Sequence, residues 1–251
     1  MLRLLTFNIH KGFSILNKRF VLHQLREAIR SISADIVFLQ EVTGENSRKS
    51  KKHSDWPEET HYEFLAESIW TDFAYGKNAA YPIGHHGNAI LSKYPIIHSE
   101  KFDISTNRFE QRGFLYSVLD IPDSPSTLHC LCVHLGLSAS SRKKQIRMIE
   151  TFINEKIPKE APIILAGDFN EWRTKNKGQC PISLGLKDAA METKGEIART
   201  YPSLFPIFPL DRICLRGLTA NNSKIYFKGV WSKLSDHAAF FIEVELDPLP
   251  E

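Results

Sequence analysis

Several apolar stretches of this 251-residue chain stop at polar side chains of the kinds that bind metal ions or transfer protons. One polar residue at the end of a buried strand is an ordinary turn feature. Several together are different, because strand ends that meet at one edge of a sheet bring their side chains into one cleft. The side chains that would meet there are Asn8, Glu41, His134, Asp168, Asn170, Asp236 and His237.

Such a cleft is suited to phosphate ester hydrolysis assisted by a divalent cation. Carboxylate and amide oxygens are the ligands that Mg²⁺ takes, together with waters and substrate phosphate oxygens. Glu41, Asp236 and Asn8 fit that description. Hydrolysis also needs a base for water, and the imidazole of His237 titrates close enough to neutrality to serve. A charged His237 would need an orienting carboxylate, for which we choose Asp211.

The elements that must position these side chains alternate between strands and helices. Helical periodicity predicts helices over Arg19–Ile32 and Ser140–Ile157. Some strand candidates alternate in hydrophobicity and others are continuously apolar, so a mixed two-sheet sandwich wrapped by helices accommodates them, as a single domain over residues 1–251. The strand candidates are Arg3–Asn8, Ile36–Val42, Asn88–Ser92, Phe114–Ile121, Thr127–Leu135, Ile163–Gly167, Leu210–Leu215 and Ala238–Leu246.

The composition is that of an ordinary globular protein, with 42% hydrophobic and 24% charged residues. The net charge of +3 makes no case by itself for a polyanionic partner. Four cysteines lack the spacing of a zinc site, and the default interpretation is that they are buried free thiols in a reducing compartment. No apolar stretch is long enough to span a membrane and the first residues do not resemble a signal peptide, so we expect a cytoplasmic protein.

The chain resembles a known family through eight short motifs that occur in the family's order. The family is the endonuclease/exonuclease/phosphatase superfamily, the deoxyribonuclease-like metal-dependent phosphodiesterases, and the resemblance runs from residue 4 to about residue 245. The segments NIHKGF and GHHGNAILS are most similar to a poorly characterised bacterial subgroup. The motifs are TFNIH, LQEV, GNAILSKYP, QRG, VHLG, GDFN, LDRI and SDH.

The resemblance implies an α/β fold, a four-layered sandwich with two central mixed β-sheets flanked by helices, and a site at one edge. It implies that Glu41 is the principal Mg²⁺ ligand, with Asn8 and Asp236 completing or supporting the metal site. Mn²⁺ is a possible substitute for Mg²⁺.

The resemblance also implies roles for the remaining motif residues. Asp168 and Asn170 would position the attacking water and the phosphate, and His237 would be an essential histidine held by Asp211. His134 and Arg112 would contact the phosphate. Either His237 or Asp168 would take the proton from water, and we leave that choice open.

These expectations describe a metal-dependent phosphoric ester hydrolase, with a nuclease as the first choice. A phospholipid or small-molecule phosphodiesterase or phosphatase is the alternative, and a binding module without catalysis is a third. Nucleic acid and phospholipid are therefore both possible partners, and we expect a monomer.

Four further segments have a default interpretation beside a functional one. The segment from Thr200 to Ile213 is either a proline-stiffened loop packed on the core or an apolar wall suited to a lipid or a base. Residues 43–60, with four basic side chains, are expected to form a solvated loop, and residues 84–87 a loop or substrate wall. The cations around residues 142–147, and Arg173, Lys175 and Lys177 beside Trp172, are expected to be solvated, or else to attract phosphates.

Overall fold

The computed structural model of the chain describes residues 1–67, 69–122, 124, 126–173 and 180–248. In these residues the strands are β1 (Leu2–Asn8), β2 (Ile36–Asn46), β3 (Asp72–Tyr81), β4 (Gly84–Ser92), β5 (Ile96–Asp103), β6 (Gly113–Leu119), β7 (Leu128–His134), β8 (Ile163–Asp168), β9 (Lys187–Asp188), β10 (Asp211–Arg216), β11 (Leu218–Tyr226) and β12 (Ala239–Leu246). The α-helices are α1 (Leu22–Ile32), α2 (Ser47–Ser50), α3 (His61–Ala66), α4 (Ala139–Lys156) and α5 (Ala189–Lys194).

The strands form two mixed sheets of six strands each. The first sheet has the order β11-β12-β1-β2-β4-β3, and the second has the order β5-β6-β7-β8-β10-β9. The pairs β1–β2 and β7–β8 are parallel. Parallel neighbours need a crossover connection, and α1 and α4 supply one in each sheet. Of the described helices, none is long and apolar enough to cross a membrane.

The two sheets pack face to face and helices cover their outer faces. Between the sheets, Leu4 and Phe38 of the first sheet pack with Cys130 and Cys132 of the second. Their chain neighbours point outward, where α1 and α3 cover the first sheet and α4 covers the second. Strands buried on both faces read as continuous apolar runs, which is why the sequence reveals them. The predicted four-layered sandwich is confirmed.

The strands that the sequence did not predict lie at the sheet edges. They are β3 and β11 in the first sheet and β5 and β9 in the second. Strand β5 is largely exposed, and its sequence IIHSEKFD carries charge on both sides. Edge strands favour such polar residues because the polarity discourages pairing with other chains, so they lack the apolar run on which the prediction depended.

Two segments predicted as loops contain regular structure. Strand β2 continues through Asn46 and α2 follows it, so the prediction of an irregular region over residues 43–60 is wrong for its first part. The backbone pairs there because β4 runs alongside to Gly84. Residues 84–87 therefore belong to β4, and the loop interpretation of GHHG is also wrong.

The cysteine prediction holds for two residues and fails for two. Cys130 and Cys132 are buried free thiols on β7. Cys180 and Cys214 form a disulfide across a sequence separation of 34 residues, which corrects the interpretation of all four as free thiols. The fold places Cys180 against β10, a proximity that cysteine spacing alone does not reveal.

His61 is buried beneath the segment that follows β1, and it makes stability depend on pH. Its ring packs 4.5 Å from that of Trp56, and burial lowers the pKa of His61 to about 3. Below pH 6.5 the unfolded chain takes up a proton on this side chain and the folded chain does not. The free energy of unfolding therefore decreases as the pH is lowered.

A urea titration tests this coupling. Between pH 7 and pH 5, His61 is expected to lower the free energy of unfolding by about 2 kcal/mol. The unfolding midpoints of the wild-type protein and a His61→Phe variant, measured at both pH values, should show a smaller loss in the variant. Equal losses would contradict the assignment.

Candidate active site

One row of paired residues crosses the second sheet at the edge where the polar residues were predicted to meet. Gly113, His134, Asp168 and Asp211 are consecutive register partners across β6, β7, β8 and β10. Gly167 allows the close approach of β8 to β7, because it has φ +145° and a Cβ there would lie 2.0 Å from the carbonyl oxygen of Val133. The pairing therefore sets His134, Asp168 and Asp211 side by side.

Asp168 lies at the centre of a buried network at this edge. Its Oδ2 atom accepts a hydrogen bond from Asn8 Nδ2 at 3.0 Å and lies 3.5 Å from His134 Nε2 and 3.8 Å from His237 Nε2. Its Oδ1 atom accepts from the backbone N–H of Asn170 at 2.8 Å. Residues from both sheets therefore meet at one carboxylate.

Asp211 orients His237 from the other side. His237 Nδ1 lies 2.8 Å from Asp211 Oδ2, which leaves Nε2 directed toward Asp168. Thr200 donates its hydroxyl to the same Asp211 oxygen at 2.6 Å. The edge of the His237 ring also contacts the ring of Tyr201, with centroids 5.1 Å apart. The imidazole is thus held by a carboxylate and by an aromatic neighbour.

Ser235 joins the segment carrying His237 to the end of β1. Its hydroxyl donates to the carbonyl oxygen of Asn8 at 2.7 Å and accepts from the backbone N–H of His237 at 3.2 Å. The side chain is fully buried. Ser235, which precedes the apolar strand β12, therefore fixes the position of His237 relative to Asn8.

Glu41 lies at a β-bulge within β2. The register of β2 with β4 shifts between Leu39 and Val42, and Glu41 has a left-handed backbone with φ 56°. A bulge redirects the side chain that it carries. Left-handed backbone is uncommon for residues other than glycine, and His10, Lys11 and Asn170 of this site share it.

Lys11 is the direct partner of Glu41, with Nζ 2.8 Å from Oε2. Burial alone would raise the pKa of Glu41, but the charge of Lys11 and its contact with the carboxylate hold it far below its usual range. Glu41 is therefore an anion at neutral pH, and a cation of the protein itself lies against it.

Burial and charge also move the pKa values of the Asp168 network. Burial, together with the charge of Arg112, holds the pKa of His134 well below its usual value. Burial raises the pKa of Asp168 to about 7, with Asp211 adding to the rise and His237 opposing it. Burial would lower the pKa of His237, but the charges of Asp211 and Asp168 raise it to about 10. The site thus holds a neutral His134 and a charged His237.

Arg112 is fixed beside His134 by two hydrogen bonds. Its Nε donates to the carbonyl oxygen of Leu135 at 3.0 Å and its Nη2 to Glu110 at 3.1 Å. Asn170 Nδ2 donates to the same Leu135 carbonyl at 2.8 Å. The Arg112 and Asn170 side chains, predicted to contact phosphate, therefore share one anchor at the end of β7.

Two groups of side chains in the site could hold a metal ion. Asp168, Asp211 and His237 each bring one ligand atom within 4.8 Å of the others. The second group is the predicted one, in which Glu41 pairs with Lys11, and Asp236 Oδ1 lies 3.4 Å from His10 Nδ1. Asn8 links the two groups, since its Oδ1 accepts from the backbone N–H of His10.

The structure adds four neighbours to the site. The sequence analysis did not single out His10 and Lys11, and it gave Thr200 and Tyr201 no role toward Asp211 or His237. His10 and Lys11 lie two and three residues after Asn8, so their place in the NIHKGF motif was a usable signal. Thr200 reaches Asp211 because the 200–210 segment folds back on itself, which no local pattern indicates. Lys175 and Lys177, expected to be solvated or else to attract phosphates, lie outside the described residues.

A two-sheet α/β sandwich with paired carboxylates and histidines at one edge defines a phosphoesterase of the deoxyribonuclease-like class. The chain belongs to the Endonuclease/Exonuclease/phosphatase family, whose model matches residues 5–237. It is 45% identical over 244 residues to the uncharacterized protein YbhP of Escherichia coli, a match that covers 97% of this chain and 96% of that protein. The expected kinship with a poorly characterised bacterial group is thereby confirmed.

Solved structures of low sequence identity share the fold. A family member from Beutenbergia cavernae has a TM-score of 0.76 at 17% identity, over 99% of this chain and 72% of its own. A mannosyl-6-phosphatase of Bacteroides thetaiotaomicron has a TM-score of 0.72 at 15% identity, and the match covers 98% of this chain and 100% of that chain. TDP2 of D. rerio, complexed with a single strand DNA product, has a TM-score of 0.69 at 17% identity, and the match covers 97% of this chain and 98% of that chain.

Proposed function

We propose that this protein is a Mg²⁺-dependent phosphodiesterase that hydrolyses its substrate by direct attack of water. The observation that carries the proposal is the buried network in which Asp168 faces the imidazoles of His134 and His237 while Asp211 holds His237. Such a network can take a proton from water and place positive charge beside a phosphate. It favours an enzyme over a binding module without catalysis.

Within this proposal Asp168 takes the proton from water and His237 stabilises the phosphate charge. The pKa of Asp168, about 7, suits a base at neutral pH. His237, with a pKa of about 10, is an imidazolium at that pH and offers a proton and a positive charge at Nε2. Arg112, Asn170 and the neutral His134 then hold the phosphate oxygens.

Glu41 would hold the metal ion, with Asn8 and Asp236 completing or supporting the site. The fit rests on the donor set, because Glu41 is a largely buried anion that already attracts the ammonium of Lys11. When bound, a divalent cation neutralises phosphate charge during hydrolysis. The ammonium of Lys11, 2.8 Å from Glu41 Oε2, would compete with the ion for that oxygen. Mn²⁺ takes similar oxygen ligands and is a possible substitute.

Two substrate classes are supported by different observations. Nucleic acid, the first choice of the sequence analysis, is supported by a groove of about 570 Å³ lined by Arg142, Lys143, Arg147 and Arg173, and by the DNA product held by the D. rerio relative. A phospholipid or small phosphoester is supported by the apolar loops described below. The cytoplasmic location, the monomeric state and the single domain stay predictions.

A metal-dependence assay tests the proposed function. The purified protein is expected to hydrolyse bis(p-nitrophenyl) phosphate with Mg²⁺ or Mn²⁺ and to lose activity in EDTA, with recovery when the metal is restored. The same conditions would then be applied to single- and double-stranded DNA, RNA and phospholipids. Activity unaffected by EDTA, or no activity on any of these phosphodiesters, would contradict the proposal.

A further inference from the structure

Four loops extend beyond the row of paired residues at the catalytic edge, and each carries a large exposed apolar side chain. The parts of these loops that the structure describes and that lie at this edge are residues 104–112, 135–138, 169–173 and 200–210. Their exposed apolar residues are Phe109 (85% exposed), Leu137 (59%), Trp172 (38%), Leu204 (66%), Phe205 (73%) and Ile207 (38%). Exposed apolar residues scattered singly need no explanation, but a group around one site indicates a contact surface.

The 200–210 loop is the most apolar of the four. It contains no charged residue, and the backbone of Tyr201 pairs with that of Phe208, so that residues 202–207 form a protruding turn. Leu204 and Phe205 lie at its tip. The packed-loop interpretation of this segment therefore accounts for its base and not for its tip.

Aromatic contacts connect this loop to the catalytic imidazole. Trp172 packs against Tyr201 and Phe208, with centroids 5.4 and 5.5 Å apart, and Tyr201 contacts His237. Whatever contacts the exposed tip is thus adjacent to the residues that would hydrolyse the phosphodiester.

Positive charge accompanies the apolar side chains. Arg108, Arg173 and Arg199 are exposed next to them, and the Arg108 guanidinium lies 4.8 Å from the centroid of the Phe109 ring. The acidic residues of the same loops, Glu110 and Glu171, are paired with Arg112 and Arg142. Protruding apolar residues flanked by arginines are complementary to a membrane surface with negative headgroups.

We propose that these four loops dock the catalytic edge on an anionic phospholipid bilayer. The inference rests on the proposed function, and with it names the substrate class as phosphodiesters presented at a lipid surface. Nucleic acid fits the loops less well, because three of their six exposed apolar residues, Leu137, Leu204 and Ile207, are aliphatic and offer no stacking surface, and the 200–210 loop offers no cation for phosphates.

Vesicle binding tests the inference. The wild-type protein in EDTA is expected to sediment with vesicles of phosphatidylglycerol and phosphatidylcholine mixed equally, and more weakly with phosphatidylcholine alone. A double variant, Leu204→Ser with Phe205→Ser, is expected to bind the mixed vesicles about tenfold more weakly. The matched control is Ile97→Ser with Met148→Ser, which removes two exposed apolar side chains away from the catalytic edge and should bind as the wild type does.

The outcomes separate docking from catalysis. The Leu204/Phe205 variant should keep its activity on soluble bis(p-nitrophenyl) phosphate, and a His237→Ala variant should keep vesicle binding. Absence of vesicle binding, equal binding by both double variants, or a dimer in light scattering that the Leu204/Phe205 substitutions dissolve would overturn the inference. Binding to vesicles by a protein that hydrolyses no phosphodiester would refute the proposed function and the substrate class, and would leave only the docking surface.

Discussion

A His237→Ala variant is expected to hydrolyse an activated phosphodiester about a thousandfold more slowly than the wild-type protein. The imidazole lies between two buried carboxylates, with Nδ1 2.8 Å from Asp211 and Nε2 3.8 Å from Asp168. Its removal takes away the positive charge that faces Asp168 and leaves Asp211 buried without its imidazole partner. The loss should appear in kcat at saturating Mg²⁺, because the side chain acts on charge that develops during the reaction.

Two further variants separate this role from a general effect on folding. Asp211→Asn keeps the ring of His237 and its contact with Tyr201 but removes the charge that supports the imidazolium, so a smaller loss is expected. His98→Ala changes an exposed histidine toward the far end of β5 and should leave kcat unchanged. Thermal unfolding of all three proteins checks that they are folded. A folded His237→Ala variant with activity within about tenfold of wild type would refute the assigned role.

The sequence predicts buried strands well and edge strands poorly, for a physical reason. Strands β1, β7 and β8 and the first half of β2 are covered on both faces, so most of their residues are apolar whichever way they point. Strand β5 borders solvent and carries the residues that solvent favours. Only the pairing with β6 reveals it, and pairing is a long-range property of the chain.

The candidate site shows the same division between local and long-range information. Asn8, His134 and Asp168 are the last residues of β1, β7 and β8, as the local sequence indicates. Glu41 was expected at a strand end as well, but β2 continues past it to Asn46 and Glu41 lies at a bulge within the strand. The contacts of Lys11 with Glu41 and of Thr200 with Asp211 depend on left-handed backbone and on a folded-back loop. The Cys180–Cys214 disulfide likewise depends on how two distant segments pack. None of these has a signature in residue spacing.

Glu41 and Lys11 are expected to have opposite effects on metal affinity, and this pair tests the metal site apart from catalysis. The Glu41 carboxylate is the anion that a divalent cation needs, whereas the Lys11 ammonium lies 2.8 Å from the same oxygen and competes for it. Substitution of groups that only support metal ligands typically costs tenfold to a hundredfold in affinity, so Glu41→Gln is expected to weaken Mn²⁺ binding by at least about a hundredfold. Lys11→Met is expected to strengthen it by about fivefold, because a partly exposed ion pair is worth about 1 kcal/mol.

A second ion pair of the chain serves as a matched control for these two substitutions. Lys93 and Asp35 lie 3.0 Å apart with side-chain exposures of 33% and 16%, close to the 35% and 17% of Lys11 and Glu41, and Asp35 precedes β2 at the end opposite to Glu41. Asp35→Asn and Lys93→Met should therefore leave Mn²⁺ affinity unchanged in calorimetric titrations. If Lys11→Met instead weakened binding, Lys11 would support the metal site and not compete with the ion. If Glu41→Gln bound Mn²⁺ as tightly as wild type, the ion would belong to the Asp168, Asp211 and His237 cluster, and the assignment of Glu41 as its ligand would be wrong.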